Sequence, residues 1–431
     1  MRPAASRFCS QLPVAEGETT VSRMRNWLER AALLHPERTA IDHDSGARLS
    51  YAELVEQARA SALGLQAQSV KPGERVALRD QDRLEFAVAL HGALIHGAAC
   101  VPIDLRLSAE EQARREQAGP TPYADVATVM YTSGTTSTPK PVYLTAGNWE
   151  ANAVGSALAL GLDLNERWLC VMPLAHVGGL SILLRSAFYG TTAVLHERYD
   201  TDSVLTELMS AKRAITLVSL VPTMLSRLLD AGLKHPPTLR WVLLGGGPIP
   251  PGLLARAAQA GVPVAPSYGM TEGCSQIATF GYSLHGIELK FEDGELLVRG
   301  PNIAPNALDP DGWLRTGDLA QLDQDGRLRI VGRKTDTIVT GGENVAPAEV
   351  EAVLLEHPGV ADVGVFARAD AEWGEAVVAT VVLREGLDVK PEELQAFAAE
   401  RLARFKVPKQ IGFATELPRT VSGKLLRREL R

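Results

Sequence analysis

Five short apolar runs, Arg75 to Leu78, Trp168 to Met172, Thr192 to Leu195, Ile215 to Leu220 and Trp241 to Leu244, recur along the chain with helix-length segments between them. Runs this short, dominated by Val, Leu and Ile, have the length and composition of strands buried on both faces. Alternation with helical segments such as Tyr51 to Leu65 and Asp202 to Lys212 predicts a layered α/β sheet with helices on its faces. The uncharged stretch Phe86 to Ile103 is broken by His91, His96, Pro102 and two glycines, so it reads as a buried helix running into a strand and not as a membrane span. At 431 residues the chain exceeds what a single core serves, and two or three domains are expected.

The texture changes near Gly332. Pro347 suits a first helical turn, Val350, Val353 and Leu354 share one face, and His357-Pro358-Gly359 stops the helix. Strands Val360 to Phe366 and Ala376 to Leu383, a helix from Pro391 to Phe405 and a last strand near Ile411 complete a β-α-β-β-α-β order over roughly 100 residues, a usual domain size. The expected fold class is α/β: a large layered α/β N-terminal domain, residues 1–332, joined by a hinge to a small α+β C-terminal domain, residues 333–431.

Forty-four Lys and Arg against 51 Asp and Glu give a net charge of -7, which argues against broad binding to nucleic acid or anionic lipid. Any phosphate is then held locally. The four cysteines form no C-x-x-C pair, so neither a zinc site nor a disulfide framework is suggested. With no apolar core of signal-peptide length near the start, a cytoplasmic protein without membrane insertion is expected.

Val129-Met-Tyr-Thr-Ser-Gly-Thr-Thr-Ser-Thr-Pro-Lys-Pro-Val142 is a hydroxyl-rich glycine loop ending in Lys140. Backbone N–H groups and hydroxyls of such a loop converge on phosphate oxygens, and a lysine adds charge. It is not a Walker A motif, because Pro139 and Pro141 stand where that motif needs Gly and Ser or Thr, and Val142-Tyr-Leu144 reads as a strand where it needs a helix. A polar hairpin turn is the plainer alternative.

Other residues carry two readings each. Lys424 lies on a loop that begins with Pro418 and contains Gly423; it is a mobile cation, or part of a solvated tail with Arg427, Arg428 and Arg431. His176 sits in the apolar Met172-Pro-Leu-Ala-His-Val-Gly-Gly179, as a hydrogen-bonded core histidine or as a site residue. Glu272 beside Thr271 suits a magnesium-binding carboxylate next to a phosphate-contacting hydroxyl, or an ordinary surface pair. Tyr268 offers a flat face, and Asp318 after Gly317 a carboxylate able to take two hydroxyls; a core tyrosine and a turn aspartate look alike. Arg185 interrupts the apolar Leu180 to Phe188, where an unpaired guanidinium is costly, so it requires an anion from the protein or from a ligand.

In this order the stretches resemble the motifs of the adenylate-forming enzymes, the AMP-binding superfamily of acyl-CoA synthetases, luciferases and peptide-synthetase adenylation domains. Thr132, Ser133, Gly134, Thr135, Thr136 and Lys140 resemble its phosphate loop, Pro173-Leu-Ala-His176 its gate, and Gly245, Gly246, Gly247 with Pro248 its adenine-side loop. Ser267-Tyr-Gly-Met-Thr-Glu272 resembles the segment that stacks adenine, contacts phosphate and helps hold magnesium. Trp313-Leu-Arg-Thr-Gly-Asp318 resembles the one whose aspartate grips the ribose. Gly332-Arg333, Gly341-Gly342-Glu-Asn344 and Pro418 to Lys424 resemble the hinge region, the thiol-tunnel loop and the catalytic-lysine loop.

The resemblance implies an acid–thiol ligase that uses ATP, Mg2+ and coenzyme A as co-substrate. Lys424, His176, Thr271 and Glu272 would be its catalytic residues and Glu272 its metal ligand. Arg333 would contact the nucleotide, and Arg185, His176 and Gly269 the acyl substrate. The closest likeness, in His176 to Leu183, Val221 to Leu225 and Ser267 to Gln276, is to the o-succinylbenzoate–CoA ligases of menaquinone biosynthesis, whose substrate carries two carboxylates. Its partners would be small molecules, with a homodimer as the candidate assembly. The competing readings are an adenylation enzyme that loads a carrier protein, a γ-phosphoryl-transferring kinase, and a non-catalytic nucleotide-binding protein. Ser137, Gly273 and Thr335 depart from the family pattern, Thr335 at the hinge itself. Ser108 to Ala124 is short and expected to lack a strand-helix, and Phe280 to Phe291 is abbreviated.

Overall fold

The structure, a computed structural model, describes residues 27–132, 139–419 and 425–430. A nine-stranded sheet runs in the order Tyr282–Ser283, Ser275–Thr279, Val264–Met270, Trp241–Leu244, Leu217–Leu220, Arg167–Cys170, Thr192–Leu195, Thr39–His43, Arg48–Ser50. Its centre is parallel and both ends are antiparallel. A second sheet pairs Arg75–Arg79, Ala99–Ile103 and Val126–Thr132 in parallel and adds Lys140–Thr145 antiparallel.

Helices between the strands bury their apolar stripes on these sheets. Tyr51–Ala67 starts from a capping box between Ser50 and Glu53, while Arg83–His96 is capped by Asp82 and stopped by Gly97 in the left-handed conformation. Their faces meet in a core that includes Leu54, Ala58, Phe86, Leu90 and Trp168. Each fully buried Leu or Phe among them contributes about 1.5–3 kcal/mol. Among the described residues no helix is long and apolar enough to cross a membrane.

An antiparallel meander, Glu288–Glu292, Glu295–Arg299, Leu314–Leu322 and Leu328–Arg333, ends at the expected change of texture. The chain then builds a smaller α+β unit with its own core of Ile338, Val350, Leu354, Val365, Val377, Val381 and Leu394. Its order differs from the expected β-α-β-β-α-β by one added strand, which makes the first strand a hairpin, Ile338–Thr340 with Glu343–Val345, because Gly341 and Gly342 both take positive φ and close a two-residue turn. The helix expected from Pro391 to Phe405 stops at Ala399. The strand expected to reach Met172 ends at Cys170.

The segment expected to lack a strand-helix keeps the helix alone, Ala109–Arg115, capped by Ser108. The abbreviated stretch from Phe280 holds a two-residue strand and then Glu288–Glu292.

Candidate active site

Ser133, Gly134, Thr135 and Thr136 lie outside the described residues, as does Lys424. What flanks them is fixed. Thr132 pairs with Lys140 across the antiparallel strands, so the phosphate-loop candidate enters and leaves at one point, with Lys140 exposed there. Asn306 anchors the exit strand by accepting from the amide of Tyr143 at 3.0 Å and donating to the carbonyl of Pro141 at 2.8 Å. The Thr271–Gly273 turn packs against this same strand, which brings Thr271 and Glu272 to the loop's edge. That turn is held by Asn302, which donates to the carbonyls of Gly273 and Gln276, and by the amide of Ala304 on the carbonyl of Glu272. The Glu272 carboxylate makes no hydrogen bond or ion pair among the described residues. No cluster of three metal-ligating side chains occurs among them either. A single free carboxylate beside a phosphate loop matches magnesium, which keeps waters and takes one or two carboxylates plus substrate phosphates.

Tyr268, Asp318 and Arg333 come together from three strands. The Tyr268 hydroxyl donates to one oxygen of the buried Asp318 at 2.7 Å, and Arg333 pairs with the other at 2.8 Å while donating to the carbonyl of Thr316. Burial, then the Asp318 charge, pushes the Tyr268 phenol above its ordinary range, so it stays a donor. The Asp318 carboxylate is thereby held where the three strands meet.

Gly269 is sterically required. A β-bulge falls between Tyr268 and Gly269, and a Cβ at Gly269 would lie 1.7 Å from the carbonyl oxygen of Ser275. The Gly245–Gly247 loop follows Trp241–Leu244 and lies against the Tyr268 strand, since a Cβ at Gly245 would meet the carbonyl oxygen of Ser267 at 2.9 Å.

His176 caps the helix Val177–Tyr189 with its backbone only, so its ring is free for other work. Nε2 is 3.1 Å from Arg106 and 3.5 Å from Asp104. Asp104 also accepts from the backbone amide, Nε and a terminal nitrogen of Arg106. Burial opposes its charge, but the hydrogen bonds that reach it, those of Arg106 among them, outweigh burial and hold the carboxyl well below the usual range. Asp80 anchors the same loop by accepting from the amide of Leu174.

Sequence reasoning missed Asp104 and Arg106. Their signal is a pair of opposite charges directly after the apolar Ala99–Ile103, at the carboxyl end of a parallel strand, where α/β folds place ligands.

Arg185 is 1% exposed and has no carboxylate partner among the described residues. It donates to the side-chain oxygen of Asn152 and lies over the Trp168 ring at 5.5 Å, while Nε and one terminal nitrogen have no partner. Burial lowers its affinity for a proton. Among the described residues no carboxylate supplies that anion. Asn152 also donates to the carbonyl of Gln276, linking Arg185 to the turn that carries Glu272.

Thr335 lies in the short Lys334–Asp336 turn between two ion pairs: Lys334 with Glu295 of the meander and Asp336 with Arg427 of the small unit. A Cβ at Gly341 would strike the Trp373 ring at 2.8 Å. Arg419 and Leu425, on either side of the undescribed segment with Lys424, are bridged to each other.

A model of the AMP-binding enzyme family matches residues 28–119 and 112–306, and its C-terminal domain model matches residues 349–424. The 2-succinylbenzoate–CoA ligase of Bacillus subtilis (strain 168) is 37% identical over 477 aligned positions, covering 94% of this chain and 97% of that protein. The alignment is longer than the chain, as expected where segments are abbreviated. Solved structures of o-succinylbenzoate CoA synthetase from Bacillus subtilis, also 37% identical, cover 94% of this chain and at least 98% of theirs. TM-scores are 0.85 for the complexes with the acyl-adenylate intermediate and with ATP and magnesium ion, and 0.67 for a double mutant bound with a product analogue. The arrangement of this chain is thus nearer to the first two. By full-length identity and by two family models in sequence order, the chain belongs to the AMP-binding enzyme family.

Proposed function

We propose that the protein is an AMP-forming ligase that joins an aromatic dicarboxylate, o-succinylbenzoate, to coenzyme A in menaquinone biosynthesis. In the first half-reaction a substrate carboxylate oxygen attacks the α-phosphorus of ATP and pyrophosphate leaves. In the second the thiol sulfur attacks the acyl carbon, AMP leaves, and the thiol proton passes to solvent.

Two anions meet in the first step, so the chain's task is to neutralise and align them. Tyr268 supplies a face for adenine and Asp318 receives the ribose hydroxyls. Lys140 and the Thr132–Thr136 loop hold the outer phosphates, and Lys424 bridges the attacking carboxylate and the α-phosphate. Glu272 with Thr271 would hold magnesium, which when bound offsets phosphate charge. Rotation of residues 333–431 about Arg333 to Thr335 then withdraws Lys424 and presents Gly341-Gly342 to the thiol path. All named residues come from one chain, so a monomer or a homodimer serves the chemistry equally.

The observation that carries the substrate class is Arg185, buried without a carboxylate of its own on the helix that His176 caps. Its unpartnered N–H groups fit a second carboxylate on the acid. The test is a panel of acids assayed for AMP release with and without coenzyme A. The highest turnover is expected with o-succinylbenzoate, above benzoate and medium-chain fatty acids, and dependent on coenzyme A. Preference for a monocarboxylate contradicts the reading.

A further inference from the structure

Arginine has donors only, so the 3.1 Å contact from Arg106 to His176 Nε2 is a hydrogen bond in the tautomer that leaves a lone pair on that nitrogen, and it is shorter than the 3.5 Å contact with Asp104. The imidazole is then neutral with its proton on Nδ1. A protonated Nε2 would instead turn to Asp104, 3.5 Å away, and would repel Arg106. Arg106 cannot follow freely, because three of its N–H groups are bound to Asp104.

We propose that Asp104 and Arg106 are positioning residues for His176: Asp104 aims the guanidinium, and the guanidinium fixes the ring as the neutral Nδ1–H tautomer. The inference rests on the ligase reading for its consequence in turnover, but not for the state of the ring. Asp104 is buried at the end of Ala99–Ile103, whereas Arg106 and His176 are partly open, so a buried anchor holds two groups at a mouth. The loop before His176 has a hydrogen bond of its own, from the amide of Leu174 to Asp80, a carboxyl that feels the charges of Arg83, Glu197 and Asp104. The backbone of His176 is also tied at both sides, its amide to Pro173 and its carbonyl to the amides of Gly179 and Leu180. Loss of Asp104 therefore frees the ring without freeing the loop. A neutral, oriented imidazole carries one donor at a fixed place, which suits contact with an acyl carboxylate or thioester oxygen and avoids a second cation beside the nucleotide.

The experiment joins a spectroscopic arm to a kinetic one. Nitrogen-15 histidine spectra of the full chain, with His176→Gln identifying the resonances, are expected to show His176 with a bare Nε2 and a protonated Nδ1. In Asp104→Asn, similar in shape but uncharged, the signals are expected to move toward a tautomer mixture. CoA-dependent turnover of Asp104→Asn is expected to fall about tenfold, the scale on which orienting partners act, and acid-dependent pyrophosphate exchange less than about threefold. In a His176→Ala background Asp104→Asn is expected to add no further loss. A protonated Nε2 in the intact chain, or an Asp104→Asn loss of equal size with and without His176, overturns the proposal. The spectra need no ligase activity, so a chain that adenylates no acid contradicts the function proposed above while the tautomer is still read.

Discussion

The proposed choice of acid rests on Arg185: a guanidinium buried among Trp168, Asn152 and the Cys274 turn has two nitrogens without partners among the described residues. A charge-assisted pair with a ligand carboxylate is worth about 1.5–3 kcal/mol. Arg185→Ala is therefore expected to lower kcat/KM for o-succinylbenzoate about 100-fold and to leave benzoate within about threefold. Comparable losses on both acids, measured on variants of unchanged melting temperature, contradict the assignment. Its anomaly was legible in the sequence because the surrounding helix is apolar on every side. The choice between an internal and an external anion was not, since no spacing rule says which carboxylates fold near residue 185. Asp104 escaped notice for the converse reason: a charge after a strand is ordinary until the loops after Ala99–Ile103 and Arg167–Cys170 converge on it.

At the scale of elements, alternating apolar runs located the parallel strands well. Thr192–Leu195 and Trp241–Leu244 stand where their Val and Leu content places them. Boundaries set by local turns were less legible. Neither the Gly341-Gly342 hairpin nor the stop at Ala399 changes hydrophobic period. The buried helix Arg83–His96 carries its own pH dependence. Burial lowers the pKa of His91 to about 4, so the folded chain keeps this ring neutral. The unfolded chain protonates it near pH 6.5, so stability from this site is complete above 6.5 and declines as pH falls toward 4, by on the order of 3 kcal/mol. His91→Leu is expected to flatten this decline in urea titrations at pH 7.5 and 5. An unchanged pH slope contradicts a buried neutral ring.

For the whole molecule, two ion pairs flank Thr335 at the junction between the meander and the small unit. Lys334 ties the turn to Glu295 of the meander, and Asp336 ties it to Arg427, which also holds the buried Glu351 of the small unit. The likeness to the adenylate-bound relative is greater than to the double mutant bound with a product analogue. The central claim is that a lysine carried by the small unit completes a nucleotide site built on the large one. It is tested most directly by acid-dependent exchange of labelled pyrophosphate into ATP, comparing the intact chain with Lys424→Ala. The account predicts exchange lowered at least about 100-fold, with transfer from preformed acyl-adenylate to coenzyme A within about threefold; exchange at the intact rate would contradict it.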